Sequence, residues 1–389
     1  MAGPVLDTPA VHAFAPAWIE ISQTALEHNF RTLASLAPAS VLVAPVVKAN
    51  AYGHGARLVA EVLAASGAAV LCVHDVAEAV AVADLGCRVL VLGPIWPWEA
   101  ETIAKRGLEV VVAQTEPLAW LSAEAVRVGR DIGVHVKIET GTHRQGAAPA
   151  AATTLAAALQ ATPGLRWAGV STHLADVEDE TEHSFARVQL DRFHAAMPSV
   201  PPSVLRHVAA SAGHLVLPGA RYDLVRVGIA TYGLWPSAAT RIATDLVHGP
   251  GAVVLQPAMA WRARLASVES AAAGEWVGYG RSIRLSRPTR VGLLPVGYYD
   301  GYDRGLSNVA DVLVHGRRCR VLGRVCMNLT MVDVTDVAKA AAGDVVTLIG
   351  RDPDTGANLP VEELSERLGT IPYEVVSRIH ERLPRVLVP

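Results

Sequence analysis

The chain has 389 residues, of which 51% are hydrophobic and 18% are charged, and its formal net charge is -3. This length is enough for two domains, whereas no apolar run is long enough to cross a bilayer. Lys and Arg are scattered along the chain, so the charge pattern gives no indication of a nucleic-acid or anionic-lipid partner. We therefore expect no membrane span and no nucleic acid, and a ligand that is a small molecule.

The N-terminal segment and the cysteines bear on the cellular setting. Residues 1–17 carry Pro4, Pro9 and Pro16 but no basic start or apolar core of signal-peptide type, so we interpret them as a flexible tail. The four cysteines lie in apolar, strand-like segments without metal-site spacing, which predicts buried thiols, a reduced cytoplasmic protein and no metal. They are Cys72, Cys87, Cys319 and Cys326.

The first regular elements follow this tail. Trp18 to Ile21 alternates like a strand, and Ser22 is placed to cap a helix that has Leu26, Phe30 and Leu33 on one face. The strand has no obvious place among the later strands, so one place for it is the C-terminal domain.

A lysine then stands at the end of a buried strand. Val41 to Val47 is apolar throughout, which is typical of a strand buried on both faces, and Lys48 closes it. Gly53 to Gly55 follow as a loop that enters a helix, so the segment predicts a parallel β/α unit with Lys48 at the strand end where active sites collect. The alternative is an ordinary lysine that reaches solvent from a strand end.

Strand and helix patterns alternate about eight times from this point, which predicts a (β/α)8 TIM barrel. The strands begin with Val41 to Val47. The others are Ala69 to Val73, Val89 to Leu92, Leu108 to Val112, Gly133 to Ile138, Trp167 to Ser171, Val204 to Val208 and Leu224 to Ile229. Helical patterns between them include Val76 to Leu85, Pro117 to Val126, Ala150 to Gln160 and Thr181 to Ala196.

The alternation of strands and helices ends after Trp235, and from there strand patterns follow one another without helices between them. We therefore predict a barrel over residues 18–240 and a mainly-β C-terminal domain over 241–389, with a hairpin turn at His315-Gly316-Arg317. The predicted strands are Ala258 to Val268, Arg290 to Val296, Val312 to Val314, Arg318 to Leu322 and Leu329 to Val334. Two short helices, Val361 to Leu368 and Pro372 to Leu383, come last.

Short motifs recur along the whole chain. The first is Val46 to Gly55, which reads Val-Val-Lys-Ala-Asn-Ala-Tyr-Gly-His-Gly, and the others lie at residues 137–144, 171–173, 207–211, 225–229, 278–281, 297–301, 323–328 and 371–374. Together and in this order they resemble alanine racemase, a fold-type III enzyme that depends on pyridoxal 5′-phosphate. The resemblance is independent of the barrel and β domain predicted from the strand pattern, and it implies the same architecture.

The resemblance implies that Lys48 binds the cofactor aldehyde covalently. A lysine desolvated by an apolar strand has a lowered pKa and therefore a nucleophilic neutral amine. The cofactor phosphate would be held by hydroxyls and by backbone amides, as suits a phosphate after the late strands of a barrel. These groups are Tyr52, Ser211, Tyr373 and the amides of Gly228 and Ile229. Taken alone, Gly228 could be a packing glycine and Tyr373 a core tyrosine.

Arg226 matches the arginine that faces the pyridine nitrogen in this family, with His207 orienting it. An arginine is always charged and does not readily give that nitrogen a proton, so the ring is a weaker electron sink, which suits racemisation and disfavours transamination. The alternative for Arg226 is a structural ion pair with Asp223.

Racemisation requires a proton acceptor on each face of Cα. By the resemblance Lys48 serves one face and Tyr279 of the other subunit serves the other, so a homodimer with shared active sites is implied. An ordinary tyrosine needs about 4 kcal/mol to be a phenolate at pH 7. His173 and Arg226 are expected to supply the positive neighbourhood that lowers this cost.

The resemblance also implies the groups that bind substrate. Arg144 and the backbone amide of Met327 from the other subunit would hold the carboxylate, and Lys137 matches a lysine that is often carbamylated to orient the arginine. Tyr298, together with Tyr373, would narrow the entry channel and favour a small side chain. Two positions depart from the family: Asn328 replaces the usual Asp, and Thr142-His143 replaces a commoner Met-Gly pair, so this end of the pocket differs in charge and shape.

The resemblance therefore implies an amino-acid racemase, an isomerase that interconverts L-alanine and D-alanine and supplies D-alanine for peptidoglycan if the source is bacterial. Serine or another small amino acid stays open as the substrate. A fold-type III decarboxylase of the same cofactor would require a catalytic cysteine motif and a glycine-rich phosphate loop, and neither is found. A cofactor carrier without activity would leave the β domain unexplained.

Overall fold

The structure is a computed structural model that describes residues 15–179, 181–197 and 199–389. The predicted tail lies outside these residues up to residue 14, and Ala17 already begins a strand. The described chain forms two compact units. One, the barrel unit, comprises 25–51 and 56–256, and the other, the β unit, comprises the described residues up to 24 together with 52–55 and 257–389.

Eight parallel strands, β2 to β9, form the barrel unit. Six of them, β3 to β8, are hydrogen-bonded in sequence order, and β2 pairs with β9. They are β2 Leu42–Pro45, β3 Val70–Val73, β4 Arg88–Val91, β5 Glu109–Val112, β6 Ile132–Lys137, β7 Leu165–Ser171, β8 Leu205–His207 and β9 Leu224–Val227. β1 is Ala17–Ser22 and lies in the β unit.

Backbone hydrogen bonds close this sheet into a barrel. The Val47 amide donates to the Cys72 carbonyl at 2.8 Å, which joins the end of β2 to β3. The Arg226 amide donates to the Ala209 carbonyl at 3.0 Å and joins β9 to the segment after β8. The predicted (β/α)8 barrel is therefore confirmed, and each strand lies within or next to the run predicted for it.

Helices connect the barrel strands. They are α1 Gln23–Ser35, α2 Ala56–Ala65, α3 Val76–Val80, α4 Ala100–Arg106, α5 Glu116–Val128, α6 Pro149–Ala161, α7 Ser184–Ala196, α8 Ser211–Val216 and α9 Ala238–His248. α1 buries Leu26, Phe30 and Leu33, as a helix with one apolar face does. α3 is shorter than the predicted helix, because the chain turns after Val80. Among the described residues no helix is long and apolar enough to cross a membrane.

The β unit contains β1 and the strands from β10 onward. β1 pairs antiparallel with β10 and parallel with β20. The long sheet has the order β11-β14-β17-β16-β15-β18-β10-β1-β20. The strands are β10 Met259–Arg264, β11 Ser267–Ala271, β12 Trp276–Val277, β13 Ile283–Arg284, β14 Thr289–Leu294, β15 Asp311–Val314, β16 Arg317–Leu322, β17 Thr330–Asp333, β18 Val345–Arg351, β19 Asn358–Leu359 and β20 Arg385–Val388, with helices α10 Val361–Leu368 and α11 Pro372–Ser377.

The predicted hairpin turn is present between β15 and β16. Val314 pairs with Arg317, and the two residues between them, His315 and Gly316, have φ of 47° and 72°. Positive φ at both positions is what a two-residue hairpin turn of type I′ requires. The barrel unit extends to Gln256 rather than to residue 240, because the chain forms α9 before it enters β10.

Candidate active site

The turn that follows β2 and Lys48 has an uncommon backbone. Ala49, Asn50, Ala51 and Tyr52 have φ of 52°, 53°, 54° and 53°. They form a left-handed helical turn, a conformation that costs roughly 1–2 kcal/mol per non-glycine residue. Several consecutive residues rarely adopt it unless the surroundings hold them, and such strain is concentrated at functional sites.

Hydrogen bonds within the barrel unit hold the first three residues of this turn. The Ala51 amide donates to the Val47 carbonyl at 2.9 Å, and the Ala49 amide donates to Glu78 Oε1 at 2.6 Å. Asn50 Oδ1 accepts from the Ala56 amide at 2.8 Å, which connects the turn to the start of α2. The turn is therefore fixed at both ends, and with it the position of Lys48.

Lys48 is half-buried at the start of this turn. Burial lowers the pKa of its amine, and the charge of Arg144 lowers it further, while Glu78 raises it in part. A larger fraction of the amine is therefore neutral than in a solvated lysine, and a neutral amine is the nucleophilic form.

Arg226 lies at the inner end of β9 and is 6% exposed. Its guanidinium donates to His207 Nδ1 at 2.7 Å and to the carbonyls of His207, Thr172 and Val208 at 2.9, 2.9 and 3.0 Å. Burial lowers the pKa of Arg226 to about 10, so the group stays a cation at neutral pH.

The alternative ion pair between Arg226 and Asp223 is not formed. Asp223 accepts instead from Arg206, with Nε to Oδ2 at 2.8 Å. Asp223 stands at the start of the β9 segment, next to β8, whereas Arg226 stands at its other end. The two residues lie along the same extended strand, and three residues of extended chain separate their side chains by about 10 Å, which is too far for an ion pair.

His173 lies beside Arg226, and Arg226 donates to its Nδ1 at 3.3 Å. Burial and then the charge of Arg226 lower the pKa of His173 well below its ordinary value. This corrects the expectation that His173 adds positive charge: its ring is a neutral hydrogen-bonding group, and the positive charge bonded to it is that of Arg226.

The candidate phosphate groups of the barrel unit converge after β8 and β9. Ser211 Oγ accepts from the amides of Gly228 and Ala230 at 2.9 and 3.4 Å. Ile229 lies between these two amides and begins a 3-10 turn. A hydroxyl next to a run of backbone amides is the kind of donor set that phosphate groups bind.

A short loop carries Arg144 outward from the end of β6. Glu139 accepts from the amides of Gly141 and Thr142, both at 2.6 Å, and a bridge between Ile138 and Ala147 closes the loop. Arg144 is exposed on it. The loop is therefore pinned at its base by the Glu139 carboxylate.

Lys137 stands just before this loop. Its Nζ donates to Gln145 Oε1 at 3.3 Å. Burial, Arg226 and Arg144 lower the pKa of Lys137 to about 8. A substantial fraction of this amine is neutral near physiological pH, as carbamylation of a lysine requires.

The remaining site residues belong to the β unit. The rings of Tyr52 and Tyr373 lie 6.0 Å apart. The Tyr298 amide donates to the Cys326 carbonyl at 3.0 Å, which brings the Tyr298 turn next to Met327. Tyr279, Met327 and Tyr298 are 74%, 55% and 42% exposed. The structure thus groups Tyr52 with Tyr373, and Tyr298 with Met327, and leaves Tyr279 at the surface of the described chain.

Comparison with protein families accounts for both units. Residues 21–236 match the model of the alanine racemase N-terminal domain, and residues 258–387 match that of the C-terminal domain. The chain belongs to the alanine racemase family. The resemblance inferred from the ordered motifs is thereby confirmed.

Relatives and solved structures in this family cover nearly the whole chain. Alanine racemase of Symbiobacterium thermophilum is 40% identical over 376 residues, which cover 95% of this chain and 96% of the relative. The structure of alanine racemase from D-cycloserine-producing Streptomyces lavendulae superposes with a TM-score of 0.86 at 34% identity, over 96% of this chain and 97% of that one. Alanine racemase from Streptomyces coelicolor gives a TM-score of 0.86 at 32% identity, over 98% and 100%.

The two positions that we expected to depart from the family's motifs lie in different surroundings. Thr142 Oγ1 donates to Glu139 Oε2 at 3.1 Å, so this side chain helps to pin the loop that carries Arg144. His143 follows with φ of 49°. Asn328 is exposed next to Met327.

Sequence reasoning missed two buried residues behind the family's motifs, Glu109 and His135. Their side chains are hydrogen-bonded to each other, and His135 is bonded to His207. One signal was present: His135 precedes Lys137 by two residues in β6, so strand alternation places both on the same face. Glu109 offered only a lone carboxylate in an otherwise apolar strand.

The left-handed turn predicts opposite effects for two alanine-to-glycine substitutions. Ala49→Gly removes a Cβ from a positive-φ position, so we expect it to raise the free energy of unfolding, by up to about 1 kcal/mol. Ala123→Gly, at an exposed position within α5, should lower it by about 1 kcal/mol. Denaturant unfolding of both variants measures this, and a loss of stability in both would contradict the strain assigned to the turn.

Proposed function

We propose that this chain catalyses the interconversion of L-alanine and D-alanine with pyridoxal 5′-phosphate bound at Lys48. The observation that carries the proposal is Lys48 itself, a half-buried lysine of lowered pKa at the end of β2. It is held by a left-handed turn that only strong local support maintains. Membership of the alanine racemase family supports the same reaction.

The donor groups of the chain fit this cofactor. When bound, pyridoxal phosphate supplies an electrophilic aldehyde and an electron-withdrawing ring that acidify the Cα–H of an amino acid. Lys48 offers the amine for the aldehyde. Ser211 and the amides of Gly228 and Ile229 would hold the phosphate, and the resemblance to the family assigns the hydroxyls of Tyr52 and Tyr373 to the same role.

Arg226 would determine how strongly the cofactor ring withdraws electrons. A guanidinium donates hydrogen bonds and keeps its protons, so Arg226 would hold the ring nitrogen of the cofactor without protonating it. His207 and three carbonyls hold Arg226 in place. A ring nitrogen that is not protonated withdraws electrons less strongly, which favours return of the proton to Cα over transamination.

Two bases on opposite faces of Cα complete the proposal. Lys48 Nζ removes or returns the proton on one face, and the Tyr279 hydroxyl of a second copy of the chain does so on the other. The exposure of Tyr279, Tyr298 and Met327 in the single chain supports a homodimer in which these residues are covered by the partner.

The substrate is proposed to be bound through its carboxylate by Arg144 and by the Met327 amide of a second copy of the chain, with Lys137 carbamylated to orient Arg144. The pKa of about 8 for Lys137 supports this modification. Tyr298 and Tyr373 limit the side chain to a small group, so alanine is the first choice and serine the second. Supply of D-alanine for peptidoglycan in a reducing cytoplasm completes the proposal, and the four free thiols are consistent with that compartment.

Chiral analysis of reaction products tests this function. The purified chain with pyridoxal phosphate should convert either enantiomer of alanine to a near-equal mixture, and should act on serine less well. Lys48→Ala should abolish both the conversion and the visible absorbance of the covalently bound cofactor. A borohydride-reducible bond to another lysine in this variant, or conversion of serine faster than alanine by the unmodified chain, would contradict the respective assignment.

The assignment of faces predicts an asymmetric effect. Tyr279→Phe removes the hydroxyl that takes the proton from L-alanine, so solvent exchange of the Cα hydrogen should slow strongly for L-alanine. Some exchange from D-alanine should persist, because Lys48 is intact. Exchange followed by proton NMR in deuterated water measures both rates, and equal loss in the two directions would indicate that Tyr279 only positions the substrate.

The shared site predicts complementation between two inactive variants. Lys48→Ala and Tyr279→Ala are mixed under conditions in which subunits exchange. A hybrid dimer then contains one site with both residues intact, because each site takes the two residues from different chains. With equal mixing the recovered activity should reach about a quarter of the unmodified level. No recovery after exchange has been verified by mass-labelled subunits would contradict the shared site.

A further inference from the structure

A chain of buried hydrogen bonds runs behind Arg226 through the barrel. Arg226 donates to His207 Nδ1 at 2.7 Å, His207 Nε2 lies 2.8 Å from His135 Nδ1, and His135 Nε2 lies 3.1 Å from Glu109 Oε2. The four side chains come from β9, β8, β6 and β5. All are at most 6% exposed, so water does not compete for these bonds.

The groups at the two ends of this hydrogen-bond chain, Arg226 and Glu109, each have a fixed role as donor or acceptor. The guanidinium of Arg226 can only donate, and an ionised Glu109 can only accept. His207 must therefore carry its ring proton on Nε2 and none on Nδ1, and the same holds for His135. Each ring then donates toward Glu109, and all three hydrogen bonds point in one direction.

The charge states agree with this polarity. Burial alone would raise the pKa of Glu109, but hydrogen bonds from His135 and Arg88 outweigh it and hold the pKa well below its usual value. Burial lowers the pKa of His135, and burial together with Arg226 lowers that of His207. Both rings are thus neutral, each with a single ring proton to place.

Two arginines hold Glu109 at the outer end of this hydrogen-bond chain. Arg88 donates to both oxygens of Glu109, at 3.0 and 2.8 Å, and Arg166 donates to Oε1 at 2.9 Å. Both arginine side chains are partly exposed, at 39% and 53%. Glu109 Oε1 therefore receives most of the arginine hydrogen bonds, while Oε2 faces His135.

We propose that Glu109 and His135 are positioning residues that fix His207 as the Nε2-protonated tautomer and thereby hold Arg226 in its orientation. The proposal rests on the proposed function for its consequence, since Arg226 is the group placed against the cofactor ring. The tautomers themselves do not depend on that function. In the opposite tautomer, His207 would direct an N–H at the guanidinium, and two donors would face each other.

Glu109→Gln is the sharpest test, because it keeps the shape and replaces one acceptor by a donor. The amide oxygen should take the Oε1 position, where the arginine donors converge, and the amide nitrogen should face His135. His135 Nε2 must then accept, so the ring proton of His135 must move to Nδ1. There it faces the Nε2 proton of His207, and two donors oppose each other, so the hydrogen bond between the two rings is lost.

The ring protons can be read by ¹⁵N NMR of the intact enzyme labelled in its histidine rings, with assignments from the spectrum of His135→Gln. In the unmodified enzyme both rings should carry the proton on Nε2 near neutral pH. In Glu109→Gln, His135 should move its proton to Nδ1. The kcat for alanine should fall on the order of tenfold, with little change in KM.

Asp223→Asn is the matched control. Asp223 also pairs with an arginine between neighbouring barrel strands, with Arg206 Nε at 2.8 Å, but it contacts neither histidine ring. This variant should retain both Nε2-protonated tautomers and the kcat of the unmodified enzyme.

Several results would overturn the proposal. One is a proton on His207 Nδ1, or a doubly protonated ring, in the unmodified enzyme, and this reading needs no variant to fold. Another is Glu109→Gln with both tautomers unchanged, whatever its activity. An unmodified enzyme that shows the expected tautomers but does not interconvert alanine enantiomers would instead refute the proposed function and leave the positioning chain intact.

Discussion

The buried charge of Arg226 is the constraint on which the rest of the barrel interior depends. A cation removed from water is costly unless hydrogen bonds replace its hydration. Here three backbone carbonyls and the rings of His207 and His173 receive its donors. These partners are neutral, so they solvate the charge without cancelling it, and the guanidinium stays available to polarise a bound ligand. The carbonyls come from the ends of β7 and β8, so closure of the barrel is itself what builds this shell.

Most of the fold could be predicted from the sequence because parallel barrel strands are buried on both faces. Runs such as Val41 to Val47 are therefore continuous and apolar, and they are easily separated from amphipathic helices. The β unit was harder. β18 and β20 were not predicted, and β20 pairs with β1 from the opposite end of the chain, which no local pattern indicates. The N-terminal strand could be recognised by its alternation, but only tertiary structure gives its partners.

The candidate site shows the same limit at shorter range. Ordered motifs were enough to propose roles for Lys48, Arg226 and Tyr279. The sequence between Lys48 and Gly53 contains no glycine that would indicate a left-handed turn. Glu109 and His135 escaped because their connection is made across strands, and spacing along the chain does not encode which strand faces which. Asp223 gave the reverse case: it is close to Arg226 in sequence, yet strand direction separates the two side chains.

Positive charges in the barrel unit explain how one site can favour a neutral lysine and an anionic ligand together. Burial is the largest cause of the lowered pKa of both Lys48 and Lys137; Arg144 lowers the pKa of Lys48 further, and Arg226, Arg144 and Lys48 lower that of Lys137 further. Each of these cations is destabilised by the others, so the unliganded site favours loss of a proton from an amine, and Lys48 and Lys137 are the groups able to lose one. A phosphate or a carboxylate that binds in the site relieves this repulsion, because cations that repel one another are all attracted to the same anion. The charges that add to the effect of burial on Lys48 are therefore the same charges that attract an anionic ligand, and the histidines around Arg226 add no further charge because their rings are neutral.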